Sequence, residues 1–456
     1  MKSDVAALDA IIVGGGFSGT MVAAQLARRG LTSLLVEGSG RAGRGTAYST
    51  REAAHLLNVP AAKMGAWADA PDDFVAAGHP QGTFAPRREF GTYLRAILDD
   101  AVASGRVDIA EASAVAADRR GDGWTVTLDD GRVAEGAALV LAHGNQPPEP
   151  MRVGDGISQS LIINNPWRDE ARAAIARLVG ADDEKGRGDA LILGTGLTMV
   201  DMVLSLDEAG HRGRIVALSR RGQMPRAHGD YEPAPVELCE VPTGNVLALW
   251  RWLRRRAGAV GWRAAVDALR PYSHAIWASF DDREQRRFLR HARPWWDVHR
   301  HRIAPEVSER LKRMIGEGRL EIVAGRVRAL RDGPSTSSVP PQDERAGLIV
   351  EIARRGAASA GSTRGGLFGV VFNCTGPLGA MARTRDPLLR QLIDGGLVEI
   401  EPLGMGLAVD DGSRAGARLW ALGPLTKGRF WEIVAVPDIR DQVAQVADDI
   451  AEELRS

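Results

Sequence analysis

The sequence predicts an α/β fold of two Rossmann-like dinucleotide-binding domains with a helical insertion, and three observations predict it. The turn Gly14-Gly15-Gly16-Phe17-Ser18-Gly19 follows a short apolar run and opens a helical pattern. A second turn, Gly194-Thr195-Gly196-Leu197-Thr198-Met199, repeats that context. The chain has 456 residues, more than one hydrophobic core commonly serves.

The elements follow in order. Asp9 to Val13 reads as a buried parallel strand, and Gly19 to Arg29 as a helix stopped by Gly30. Leu31 to Glu37 is the next strand, which completes strand, turn, helix, strand. Arg87 to Ser104 is helical, with Phe90, Leu94 and Leu98 four apart. Strands are expected at Val107 to Val115, Trp124 to Leu128 and Ala138 to Ala142. Pro147-Pro148-Glu149-Pro150 marks a boundary, because consecutive prolines resist both helix and sheet. The second unit runs through strand Leu191 to Leu193, a helix from Thr198 to Ala209 and strand Arg214 to Leu218. Residues 245–318 read as a helical insertion rich in Trp and Arg. Gly333 to Pro341 and Gly356 to Gly366 read as exposed loops. Leu367 to Asn373 and Leu419 to Leu422 are strands, and Ile439 to Leu454 is a closing helix. The expected division is residues 1–150 plus 367–456 for the first domain and 151–366 for the second.

Composition bounds the partners. Hydrophobic residues make up 44% and charged residues 25%, the balance of a soluble globular chain. Lys plus Arg and Asp plus Glu both number 58, so no net field draws the chain to nucleic acid or membrane. No apolar run approaches the ~20 residues of a membrane span, and no basic segment leads an apolar run of leader length. A cytoplasmic protein acting on a small molecule is expected. The two cysteines, Cys239 and Cys374, cannot form a Cys-x-x-Cys redox pair or a disulfide framework.

The first glycine motif carries chemistry. Gly14, Gly16 and Gly19 serve a tight turn, a close approach to pyrophosphate and close helix–strand packing. The helix N-terminus beyond them presents free N–H groups to phosphate. Phe17, Ser18 and Gly38 are read with them as cofactor contacts, and Glu37 as acceptor for the ribose hydroxyls. A glycine turn needed for packing alone is the alternative, and the flanking strands argue against it. The motif does not choose between FAD and NAD. Its N-terminal place beside a second unit favours FAD, by architectural analogy.

The second motif keeps Gly194 and Gly196. After its next strand comes Ser219-Arg220-Arg221, with no acid. An acid would bind the 2′-hydroxyl of NADH and repel a 2′-phosphate, whereas arginine donates bidentately to phosphate. NADPH is therefore favoured, against two solvated arginines at a strand end.

Other candidates were weighed in the same way. His299 and His301 are two apart, on different faces of a helix, so a structural or anion-contacting pair is favoured over a metal site, and no metal is expected. Cys374 reads as inert packing. Trp295 and Trp296 read as pocket floor or core. Arg254 to Arg256, Arg286, Arg287, Arg290, Arg300 and Arg302 form either an electropositive lid over phosphates or an anionic substrate, or a solvated face.

These motifs resemble a poorly characterised bacterial group of FAD/NAD(P)-binding proteins. The likeness rests on Gly14 to Gly19, Gly43-Arg44-Gly45-Thr46-Ala47-Tyr48-Ser49, Leu57-Asn58-Val59-Pro60-Ala61, Trp296 to Arg302, Phe372 to Pro377 and Ala421 to Glu432. More distantly, the layout is similar to flavin-dependent monooxygenases, including those that N-hydroxylate amines. The resemblance implies FAD at Gly14, Gly16, Gly19 and Glu37, with Asn58 and Gly423 near the flavin, and a nicotinamide coenzyme at Gly194 and Gly196. Two departures stand out. The Baeyer–Villiger fingerprint is replaced by Ile163-Asn164-Asn165-Pro166-Trp167, and the usual Gly-Asp near the end is Gly423-Pro424.

The expected activity is NADPH-dependent reduction of FAD. With dioxygen as acceptor the chain is a monooxygenase on a small amine or anionic substrate. With another acceptor it is a reductase. A flavin-binding protein with little turnover is the third reading. Asn58 is the candidate catalytic residue, as an amide donor to the flavin edge or to oxygen, or else it closes a turn before Val59-Pro60.

Overall fold

Each glycine turn ends a central parallel strand of its own sheet in the computed structural model, which describes residues 8–154, 157–180, 188–333, 347–355 and 363–455. The strands are β1 (Leu8–Val13), β2 (Ser33–Val36), β3 (Val107–Ala110), β4 (Ala114–Arg120), β5 (Gly123–Leu128), β6 (Val133–Leu141), β7 (Ile162–Ile163) and β8 (Ala190–Leu193). They continue as β9 (Ile215–Ser219), β10 (Leu320–Asp332), β11 (Leu348–Arg354), β12 (Thr363–Phe368), β13 (Val370–Asn373), β14 (Arg414–Gly416) and β15 (Leu419–Ala421).

The first sheet has the order β14-β15-β6-β1-β2-β3, with β4 and β5 forming a hairpin extension beside β6. β1 is apolar on both faces, as a central parallel strand requires. It pairs in parallel with both neighbours, Ile12 opposite Leu35 and Val140. Helix Phe17–Arg28 covers this sheet and ends as the sequence dictates. Gly30 adopts φ +83°, its N–H reaches Ala27 O at 3.0 Å, and the Leu31 N–H reaches Leu26 O at 3.0 Å. That left-handed termination favours glycine. The chain returns here at its end. β15 pairs with β6, Leu419 opposite Leu139, and Val443, Val446 and Ile450 of helix Val436–Glu453 join Val22 and Leu26 in one apolar core.

The second sheet has the order β12-β11-β10-β9-β8-β13-β7 and is parallel from β10 to β7. Helices Val246–Val260 through Arg293–Arg300 are inserted between β9 and β10 and carry their own aromatic core. This insertion docks on the closing segment of the first unit. Trp277 and Trp431 stack with centroids 4.9 Å apart, and Trp277 Nε1 donates to Gly428 O at 2.8 Å.

Five expectations need correction. Val107 to Val115 is not one strand: β3 belongs to the parallel sheet, while β4 turns away to pair with β5. Leu367 to Asn373 breaks at Gly369, whose N–H is taken by Asp189 O at 2.8 Å. Within Gly356 to Gly366, residues 363–366 are strand, because β12 pairs with β11; the rest of that loop, and Gly333 to Pro341 beyond Gly333, lies outside the described residues. The boundary at 367 falls too early, since β13 sits between β8 and β7. The insertion also stops short of 318. Helix Pro305–Gly316 sends Val307, Leu311 and Met314 into the second core, as the crossover into β10.

Candidate functional site

In the first cradle, two of the three glycines are locked by backbone. Gly14 has φ +108°, and a side chain there would overlap Ala142 O. A side chain at Gly19 would overlap Gly14 O. Gly16 differs: the nearest atom to a Cβ there is Gly45 Cα at 3.8 Å. The protein itself would tolerate a methyl at Gly16. The dinucleotide fingerprint asks for the same pattern, with glycines crowded by backbone and one left open. Phe17 and Ser18 are buried in the first helical turn. Glu37 accepts from the Gly15 N–H and the Ser39 N–H, each at 2.8 Å. Its carboxylate thereby stays at the turn, with lone pairs to spare. Gly38 packs too closely on Ser113 to carry a side chain.

Gly423, at φ +60°, lies beside this turn. A Cβ on it would stand 3.0 Å from Ser18 Oγ, and its N–H donates to Gln442 Oε1 at 2.8 Å. The closing segment thus reaches the helix N-terminus of the first motif. Lys427, four residues on, donates to Asn145 Oδ1 at 2.9 Å. Burial and the nearby Arg293 lower its ammonium pKa to about 8.

The second cradle repeats the plan. Gly194 has φ +109° and no room for a side chain against Cys374 O, whereas no described atom comes within 4 Å of a Cβ at Gly196. Met199 replaces the third glycine and is fully buried in the second core. Ser219 Oγ lies 2.8 Å from Thr195 Oγ1 and accepts the Gly222 N–H at 3.0 Å, which fixes the bend after β9. Arg220 and Arg221 then face a cavity of about 520 Å³ shared with Arg290, His291, Arg326 and Arg355. Partial burial lowers the Arg221 pKa, and the charges of Arg220 and Arg355 lower it further.

The seam between the units holds residues that sequence reasoning missed. His228 Nε2 lies 3.0 Å from the main-chain oxygen of Asn58, and its ring packs on Phe84 at 4.8 Å. That acceptor fixes the proton on Nε2. Burial pulls the His228 pKa down to about 4 despite the Asn58 carbonyl. Asn58 therefore meets the second unit through its backbone, and its side-chain amide has no hydrogen bond among the described residues. Glu432 is 6% exposed at φ +73° and accepts from Trp296 Nε1 at 2.7 Å, with His301 Nε2 at 3.2 Å and Arg300 Nε at 3.4 Å. Burial alone would raise its pKa, but His301, Arg300 and Trp296 outweigh burial and hold it near about 2. His299 instead turns to Trp295 O at 2.7 Å, so the two histidines serve different partners. Trp296 is core, while Trp295 remains 43% exposed. Cys374 is buried, and burial raises its thiol pKa far above the usual range. Among the described residues no three His, Cys, Asp or Glu side chains gather as a metal site, and no helix is long and apolar enough to cross a membrane.

Residues 11–146 match the model of a family described as FAD-NAD(P)-binding. This part of the chain is an FAD/NAD(P)-binding domain, and the whole chain shares the two-domain flavoprotein fold of several solved enzymes. An ornithine N-hydroxylase from Kutzneria sp. 744, solved with reduced FAD, NADP+ and L-ornithine, superposes with TM-score 0.62 at 16% identity, over 99% of this chain and 100% of that one. The ornithine hydroxylase of Pseudomonas aeruginosa gives 0.60 at 15%, over 98% and 100%. The thioredoxin reductase of Lactococcus lactis gives 0.54 at 13%, over 98% of both chains. No curated protein matches the sequence.

Proposed function

We propose that the chain is an FAD-dependent, NADPH-using monooxygenase acting on a small amine or anionic substrate. The observation that carries this reading is the pairing of two cradles in which only the middle glycine, Gly16 or Gly196, opens onto free space. Bound in the first cradle, FAD would supply the hydride acceptor and pass electrons onward. The residues of the chain bind and orient. Glu37 holds the adenosine end of FAD, and the N-terminus of helix Phe17–Arg28 meets its phosphates. Arg220 and Arg221 select the 2′-phosphate of NADPH. The cytoplasm is the compartment this chemistry suits. In the balanced reaction NADPH, a proton, dioxygen and substrate give NADP+, water and a substrate carrying one added oxygen atom.

The test begins with anaerobic mixing of the yellow protein with NADPH or NADH. Bleaching by neither coenzyme removes the oxidoreductase reading. The reduced protein is then mixed with oxygen and a panel of small amines and acids. A product heavier by one oxygen supports the monooxygenase. Peroxide equal to the NADPH consumed, with no such product, excludes it.

The likeness to thioredoxin reductase favours a second reading, a reductase with a non-oxygen acceptor. Cys374 argues against a protein-borne dithiol in that role, because burial holds its thiol protonated and Cys239 is exposed elsewhere. Anaerobic turnover with quinones separates this reading from the first, and the absence of turnover with every acceptor would leave a flavin-binding protein.

A further inference from the structure

We infer that the helical insertion completes the coenzyme site: Arg290, with Arg326 and Arg355, closes on the same phosphomonoester that Arg220 and Arg221 receive from the strand side. The inference rests on the NADPH reading above and names the rest of that pocket.

The strands place the cations. Ser219, at the end of β9, pairs with Ala324 of β10. The next residues turn tightly against that strand, since Gly222 has φ +61° and a Cβ there would stand 3.0 Å from Ala324 N. Arg326 lies just beyond Ala324 on β10. Arg355 follows β11, and its N–H donates to Ala324 O at 2.8 Å. Three segments therefore converge on Ala324 and bring Arg220, Arg221, Arg326 and Arg355 to one cavity.

The insertion supplies the opposite wall. Phe288–Ala292 is a π-helical turn between two α-helices. Such a turn adds a residue and shifts the side chains that follow, and it recurs at functional sites. Here Phe288 and Ala292 stay in the aromatic core of the insertion, while Arg290 and His291 reach the cavity.

Pairing separates these arginines from their neighbours. Arg214 is bound by Asp189, Arg331 by Glu351 and Arg354 by Glu321. Among the described residues, none of the five cavity guanidiniums has a carboxylate or a hydrogen-bond partner. Like charges gathered without a counter-ion repel, and Arg221 registers that repulsion from Arg220 and Arg355. A phosphate monoester dianion relieves it and offers oxygens to several guanidinium forks at once. A solvated basic face would not need the cations to arrive from four separate segments.

The test uses the FAD-loaded protein, with calorimetric titration of 2′,5′-ADP, 3′,5′-ADP, 5′-AMP and inorganic pyrophosphate. Wild type should bind 2′,5′-ADP more tightly than 5′-AMP. Arg290→Ala and Arg355→Ala should each weaken 2′,5′-ADP by about tenfold, as loss of a charge-assisted bond implies. Binding of 5′-AMP should be unchanged, and Arg290→Lys should restore part of the loss. Arg255→Ala, on an exposed face of the insertion, should have no effect. A wild type without preference for 2′,5′-ADP defeats the NADPH reading itself. A preference that survives Arg290→Ala, Arg326→Ala and Arg355→Ala overturns the inference alone. Equal losses for pyrophosphate, or for 3′,5′-ADP, also overturn it, since the cavity would then be a general anion patch.

Discussion

His55 of the first unit places its Nε2 3.0 Å from Ser205 Oγ on helix Leu197–Glu208, the helix that opens from the second cradle. The imidazole is 4% exposed, and its Nδ1 lies 2.8 Å from Thr50 Oγ1. Glu52 Oε2 is 3.0 Å from the same Nε2, and Arg87 binds Asp201 Oδ2 at 2.9 Å alongside. A polar network therefore fixes the angle between the two cradles.

The first prediction concerns pH. Burial would lower the His55 pKa, but the bond to Glu52 and the charge of Asp201 outweigh it and raise the value above 6.5. With the folded value above the unfolded one, the stabilisation is complete below the unfolded pKa. It is lost as pH rises through the folded pKa. The thermal midpoint should fall as pH climbs above about 6.5, and His55→Gln should remove most of that slope. Calorimetric scans of both proteins across the neutral and alkaline range check this, and an undiminished slope in the variant would falsify it.

The two cradles predict a contrast between neighbouring glycines. Gly14→Ala should impair folding, because its methyl meets Ala142 O and its φ is left-handed. Gly16→Val should fold yet lose FAD, by at least about tenfold in affinity. Gly196→Val should keep FAD and lose reduction by NADPH. Flavin absorbance per folded molecule and stopped-flow bleaching measure these outcomes.

Arg220→Ala and Arg221→Ala should each raise the NADPH concentration needed for half-maximal reduction by about tenfold, with NADH nearly unaffected. Equal effects on both coenzymes would mean that these side chains do not meet the 2′-phosphate.

Asn58 bonds across the seam through its main-chain oxygen, so Asn58→Ala should shift the thermal midpoint by less than about 2 °C. If the amide serves the flavin, reduction or oxygen reactivity should change in the well-folded variant. An unstable Asn58→Ala with normal chemistry per folded molecule would assign it to the turn.

Glu432→Ala should cost about 3–5 kcal/mol, because it strands the half-buried His301 and Arg300 without their anion. In wild type the folded pKa near about 2 lies below the ordinary 4.5. This group's stabilisation is therefore present above 4.5 and lost as pH falls toward 2. Acid titration of tryptophan fluorescence in both proteins should show that component only in wild type.

Local signals in the sequence carried the strand, turn and helix of each cradle. Apolar runs and glycines fix those elements within a few residues, as at Leu8–Val13, Phe17–Arg28 and Leu197–Glu208. The bond from Gly423 to Gln442 and the approach of Gly423 to Ser18 were foreshadowed only as a closing segment near the first motif. His228, Glu432 and the His55 network carry no local mark, because their partners lie far along the chain and meet only through packing. Of the cavity cations, Arg220, Arg221 and Arg290 stood out in the sequence, and Arg326 and Arg355 did not. Which of them stay unpaired depends on the π-helical turn at Phe288–Ala292 and on the acids opposite Arg214, Arg331 and Arg354, and neither can be read from spacing.

The return of β15 and helix Val436–Glu453 to the first sheet sets an order of events at the ribosome. All strands of the second sheet, β7 to β13, emerge before Leu419. The second cradle can close on a nascent chain while helix Phe17–Arg28 still lacks Val443, Val446 and Ile450 against it, each worth about 1.5–3 kcal/mol when buried. Cofactor loading at the first cradle thus waits until helix Val436–Glu453 has emerged. A fragment arrested ahead of Leu419 should resist protease over the second unit and remain colourless.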